Sequence, residues 1–98
     1  MKIEKSDAKN KKYKAIFSHN VDGKMKVLKT TNFGDSRYSD YTLHKDKARR
    51  EAYRKRHRKD LQTGDYKRAG LLAFHILWGE SSSLQSNINS YKKRFKLK

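Results

Sequence analysis

One stretch of this chain is apolar enough to dictate a core: Ala69 to Gly79, AGLLAFHILWG. Leu71, Phe74 and Trp78 follow helical spacing, and Leu72, Ala73, Ile76 and Leu77 widen the apolar arc almost around the circumference. A helix apolar on most sides must be largely buried. Everything else has to fold against it, because apolar residues make up only 34% of the 98. A chain this short buries a modest share of its surface. The expectation is one small domain with a thin core, which a partner helps to stabilise.

The same run is far shorter than the roughly 20 residues a membrane-spanning helix needs. The opening MKIEKSDAKNKKYK has no apolar signal region, so a soluble or peripheral protein is expected. No cysteine is present, which excludes disulfides and thiolate metal sites and fits a reducing compartment. No proline interrupts the helical patterns.

The expected fold is a small α+β domain: a β-hairpin followed by three helices, with basic tails. Residues 1–12 are polar, charged and aperiodic, and read as a basic flexible arm. The domain proper spans 13–98. Its hairpin, 13–32, turns at Asp22-Gly23, a strong short-range hairpin signal. One of its faces has to rest on helices, since a two-stranded hairpin is rarely stable alone. In the loop that follows, Tyr38 and Tyr41 are placed to pin the chain to the core.

The first helix is expected over about 43–59, with Thr42 as N-cap and Asp46 in its first turn. The second covers 66–78, capped by Asp65 and closed at Gly79. The third covers 82–95, where Ser82 and Gln85 match a capping box. Leu84, Ile88, Tyr91 and Phe95 form its apolar stripe, and its basic end, Lys92 to Lys98, suits the helix dipole. The core set is Leu71, Phe74, Trp78, Leu84 and Ile88. Tyr91 and Phe95, near a terminus, are candidate interface anchors.

Charge points to function more directly than to fold. Lys and Arg number 26 against 10 Asp and Glu, a formal +16. The density peaks in HKDKARREAYRKRHRKD, His44 to Asp60, where nine of seventeen residues are Lys or Arg. Its apolar line, His44, Ala48 and Ala52 flanked by Tyr53, is narrow. Five of the nine cations are Arg, which grips carboxylate or phosphate in a bidentate way that Lys cannot. A solvated helix face is the plain alternative. The stretch reads instead as a surface for an anionic partner, carried by Arg49, Arg50, Arg54, Lys55, Arg56, Arg58 and Lys59. Nothing here identifies a base reader: zinc-finger spacing, RNA-binding aromatic signatures and a leucine zipper are all missing.

No cofactor and no metal are expected. His19, His44, His57 and His75 lack zinc spacing. Asp35, Asp40 and Asp46 are imaginable as a magnesium cluster beside the basic helix, but they read better as turn caps and charge partners. With no phosphate loop or catalytic triad, the expectation is a protein that is not an enzyme.

The runs FGDSRYSDYTLHKDKARREAYRKRHRKD and AGLLAFHILWGESSSLQSNINSYKKRF resemble a family of short basic proteins encoded by nucleocytoplasmic large DNA viruses. In that family a YxDYTxHKDxxRRxxYxxRH-like block precedes a Trp-containing apolar helix and a closing amphipathic segment. The resemblance covers about residues 33–95. The stretch between His57 and the apolar helix is shorter than in many members, which puts loop contacts in question. The resemblance implies no catalytic residues. It implies a minor capsid (cement) protein of the virion, assembled in the host cytoplasm. The implied partners are the major capsid protein, other minor capsid proteins and the anionic inner membrane surface. The alternative is a sequence-nonspecific nucleic-acid-binding protein of the virion core.

Overall fold

Asp22 and Gly23 both take positive φ, 52° and 82°, and Val21 pairs with Lys24 across them. Two left-handed residues in a two-residue loop give the turn whose twist matches a hairpin. In the computed structural model, which describes residues 1–97, this turn joins strand β2 (Lys11–Val21) to strand β3 (Lys24–Asp35). The hairpin is longer at both ends than 13–32. Lys98, included in the expected basic end of the last helix and in the domain boundary, lies outside the described residues.

The expected flexible arm is instead a third strand. β1 (Lys2–Lys5) pairs antiparallel with β2, giving the sheet order β1-β2-β3. The physical reason is Ile3, which sits opposite Ala15 on the face that meets the helices and packs against the core. Asn10, left-handed at φ 63°, helps close the connection, with Ser6 N–H donating to the Lys12 carbonyl.

The expected helix over 43–59 is broken into pieces. Helix α1 (Tyr41–His44) is capped by Asp40 rather than Thr42, and ends at Lys45 in left-handed geometry. Helix α2 (Lys47–Arg56) starts afresh, with Asp46 as its cap instead of a first-turn residue. A 3₁₀ turn, Arg58–Thr63, follows. Each aspartate meets orphan N–H groups at a helix start, and those two satisfied starts explain the break.

The second expected helix is shorter than 66–78. Asp65 caps the turn before it, accepting from Lys67 N–H at 3.0 Å. Helix α3 (Ala69–Leu72) then widens into a π-helical turn, Ala73–Leu77. Gly79 does not take the left-handed form typical of helix ends. It is required by closeness, since a Cβ there would lie 2.2 Å from the His75 carbonyl. Helix α4 (Leu84–Arg94) is capped by Ser83. The Ser82–Gln85 box does not form, and the Gln85 amide instead donates to Asn89 at 3.0 Å.

The α+β core lies between one sheet face and the last two helical segments. Ala15, Phe17 and Phe33 from the sheet meet Leu72, Ile76, Leu77, Ile88 and Tyr91. Of the expected core set, Leu71, Phe74 and Ile88 are buried, while Trp78 and Leu84 are half-buried at the edge. The outer half of the hairpin meets none of this. Residues 24–30 are exposed on both faces, and a bulge between Phe17 and Ser18 leaves Leu28 without a cross-strand partner. The molecule measures 47 × 27 × 22 Å.

Candidate functional site

The cationic helix is not docked through its alanines. Ala48 and Ala52 are exposed, and contact runs through Arg50, Tyr53, Arg54 and His57, spaced three, one and three along one face. Tyr53 stacks on Trp78 and on His57, with ring centroids 4.2 and 4.1 Å away. Arg54 donates from Nη1 to the Trp78 carbonyl at 2.8 Å and lies over the Phe74 ring at 4.4 Å. Arg50 donates to the Glu80 carbonyl at 3.0 Å, pairs with Glu51 and covers the Tyr41 ring at 4.8 Å.

These contacts divide the predicted anion-binding set. Arg50 and Arg54 are fastened to the domain's own carbonyls and rings, because their long side chains reach the backbone oxygens of Glu80 and Trp78. Partial burial lowers the Arg54 pKa. Arg49, Lys55, Arg56, Arg58 and Lys59 remain exposed, and none has a carboxylate partner among the described residues. The predicted interface anchors also move inward. Tyr91 is 1% exposed and donates from its hydroxyl to the Tyr66 carbonyl at 2.6 Å. Phe95 packs on it at 4.7 Å and belongs to the core periphery.

The three aspartates act separately. Asp35 forms a two-pronged pair with Arg37, which lowers its pKa to about 2. Asp40, buried, accepts from the Lys12 ammonium and from Thr42. Asp46 caps α2 through Ala48 and Arg49 N–H. Among the described residues no group of three His, Asp or Glu side chains is placed to hold a metal ion.

Sequence reading missed a groove of about 590 Å³ beside α2. One wall is the helix face bearing Arg49, Ala52, Tyr53 and Arg56; the other is the loop with Arg37 and Tyr38; Leu77 and Trp78 also line it. The signal was present as the spacing three, one and three in Arg49, Ala52, Tyr53 and Arg56, a single stripe of a helix. Burial raises the Tyr53 pKa to about 12, so its phenol stays neutral. His44 also lines the groove. Its Nδ1 accepts from Asp46 N–H at 2.9 Å, which puts the neutral ring's proton on Nε2, and that buried atom has no hydrogen-bond partner among the described residues.

The sequence profile of a family of unknown function (DUF5754) matches residues 1–57. The chain belongs to that family. The matched segment holds the sheet, α1, α2 and both groove walls, but not the lining residues Leu77 and Trp78. No curated protein and no solved structure matches. No helix among the described residues is long and apolar enough to cross a membrane.

Proposed function

We propose that this domain is a structural component of a virion shell, a minor capsid protein that cements acidic neighbouring chains and does its work by being positioned. The observation that carries the reading is the outer half of the hairpin. Met25, Val27 and Leu28 are 70%, 64% and 55% exposed, on a part of the hairpin that buries no residue of its own. A projecting edge strand with apolar side chains is a pairing hazard for a free monomer and a docking device for an assembled one. Burying each such side chain fully against a neighbour contributes about 1.5–3 kcal/mol.

Lys24, Lys26 and Lys29 alternate with these apolar residues along β3. The partner surface is therefore apolar at its centre and acidic at its rim. The free cations Lys55, Arg58 and Lys59 add a second acidic contact, and a field of this sign keeps unassembled copies apart. The family resemblance read from the sequence supports a shell location, with the major capsid protein as first partner.

The test is fractionation of purified particles followed by cross-linking through Lys24, Lys26 and Lys29. Retention in the genome-emptied shell, with cross-links to the major capsid protein, is expected. Elution with the genome at moderate salt would overturn the reading. The triple substitution Met25→Ser, Val27→Ser, Leu28→Ser is expected to fold normally and to fail to join the shell.

A further inference from the structure

We infer that the groove between α2 and the Arg37–Tyr38 loop is a binding site for single-stranded nucleic acid, holding one nucleotide with its two flanking phosphates. This inference stands apart from the shell reading and uses a different surface from the hairpin.

The charges available there are specific. Of the cations lining the groove, Lys12 is taken by Asp40 and Arg37 by Asp35. Those same pairs also neutralise the two lining acids. Arg49 and Arg56 are left exposed and unpaired among the described residues. They are seven residues apart, two helical turns, or about 10 Å by helical rise. Two guanidinium groups rooted two turns apart match two separate phosphates better than one compact anion.

The space between them suits a base. Ala52 lies one turn from each arginine and is the smallest side chain on that wall, so a flat ring has room there. Across the groove Tyr38 is 68% exposed and presents an unburied aromatic ring. The half-buried Trp78, one face of which Tyr53 covers, adds apolar lining to the groove. Aromatic platforms bracketed by phosphate-binding cations are how single strands are held without sequence preference. A duplex keeps its bases stacked inside and has none to offer this slot. An acidic peptide satisfies the arginines but leaves the aromatic slot empty.

The chain contains a single tryptophan, and it lines the groove. Trp78 fluorescence in the full chain therefore reports occupancy directly. Titration with a twelve-nucleotide single strand is expected to quench it, with steep salt dependence. A mononucleotide, a duplex of the same length and polyglutamate are expected to bind at least about tenfold more weakly, since none offers both a free base and two flanking phosphates.

The double variant Arg49→Gln/Arg56→Gln is expected to lose about tenfold or more in affinity and to reduce the salt slope by about 1.4, the value for two lost single-strand phosphates. The charge-matched control Lys93→Gln/Lys96→Gln, outside the groove, is expected to lose less than about threefold. Ala52→Leu keeps every charge and adds bulk at an exposed helical position. It is expected to block quenching, with an unchanged circular dichroism spectrum. Equal losses in the two double variants, wild-type binding by Ala52→Leu, or polyglutamate binding as tightly as the single strand would each overturn the assignment.

Discussion

Tyr53 lies flat on Trp78, ring centroids 4.2 Å apart and planes 6° from parallel. This stack, continued on its other side by His57, joins the most cationic helix of the chain to the end of its most apolar one. Removing the ring forfeits area burial and about 0.5–1.5 kcal/mol of stacking. Tyr53→Ala is expected to destabilise the fold by about 2–4 kcal/mol, and Tyr53→Phe by less than about 1 kcal/mol. Urea unfolding followed by circular dichroism measures both. Equal stability of Tyr53→Ala and wild type would show that the stack is incidental.

Arg54 and Arg56 give a second, paired prediction. They sit two positions apart on α2, one fastened to the Trp78 carbonyl and the Phe74 ring, the other free. A hydrogen bond from a charged donor contributes about 1.5–3 kcal/mol, and a cation over an aromatic face about 0.5–2. Arg54→Gln is expected to lower stability by about 2 kcal/mol, while Arg56→Gln, with the same charge change, stays within about 0.5 kcal/mol. Thermal melts of the two proteins decide it. A matched loss in both would mean that net charge, rather than the contact, sets their effect.

The division among these arginines marks where sequence reading succeeds and where it stops. The Asp22-Gly23 turn was legible because its geometry is local and few residues adopt positive φ. The apolar helix was legible because burial has a period. β1 was not, since a four-residue strand with one apolar side chain carries almost no pattern. Only its pairing with β2, a tertiary event, makes it a strand. The break at Lys45 was equally hidden. A lysine in left-handed geometry has no marker, and Asp46 reads the same in a first turn as at a cap. The cationic helix was visible as a charge run, but which arginines turn inward depends on the backbone carbonyls of Trp78 and Glu80, which no sequence pattern displays. Tyr91 was misplaced because nearness to a terminus says little about burial when the last helix closes the core.

Asn87 is a place where one side chain holds several backbone groups. It is buried, donates to the carbonyls of Ile76 at 2.9 Å and Ser81 at 2.7 Å, and accepts from Ser81 N–H at 3.2 Å. It thereby ties the end of the π turn to the chain entering α4, around the Gly79 close approach. Leaving such groups unsatisfied costs about 1–3 kcal/mol each. Asn87→Ala is expected to lose about 2–4 kcal/mol by chemical denaturation. Asn87→Asp is expected to be worse at pH 7 than at pH 4, because an ionised carboxylate facing two carbonyl oxygens can no longer donate. A loss that does not vary with pH would refute that account of the site.

His75 supplies the pH dependence. Its ring lies among Phe74, Tyr91 and Phe95. Burial, with smaller contributions from Arg94 and Arg54, lowers its pKa from an ordinary 6.5 to about 4. The folded state therefore binds the proton less readily than the unfolded one, and protonation favours unfolding. Stability from this group is fully present above pH 6.5 and declines as pH falls from there toward 4. Asp35, held near 2 by Arg37, acts lower, its contribution fading only below its ordinary 3.8. The two windows meet but do not coincide. His75→Gln is expected to flatten the stability curve between pH 6.5 and 4 while leaving the fall below pH 4 in place. Chemical denaturation at half-unit steps measures both slopes, and an unchanged slope in the upper window would remove His75 as its source.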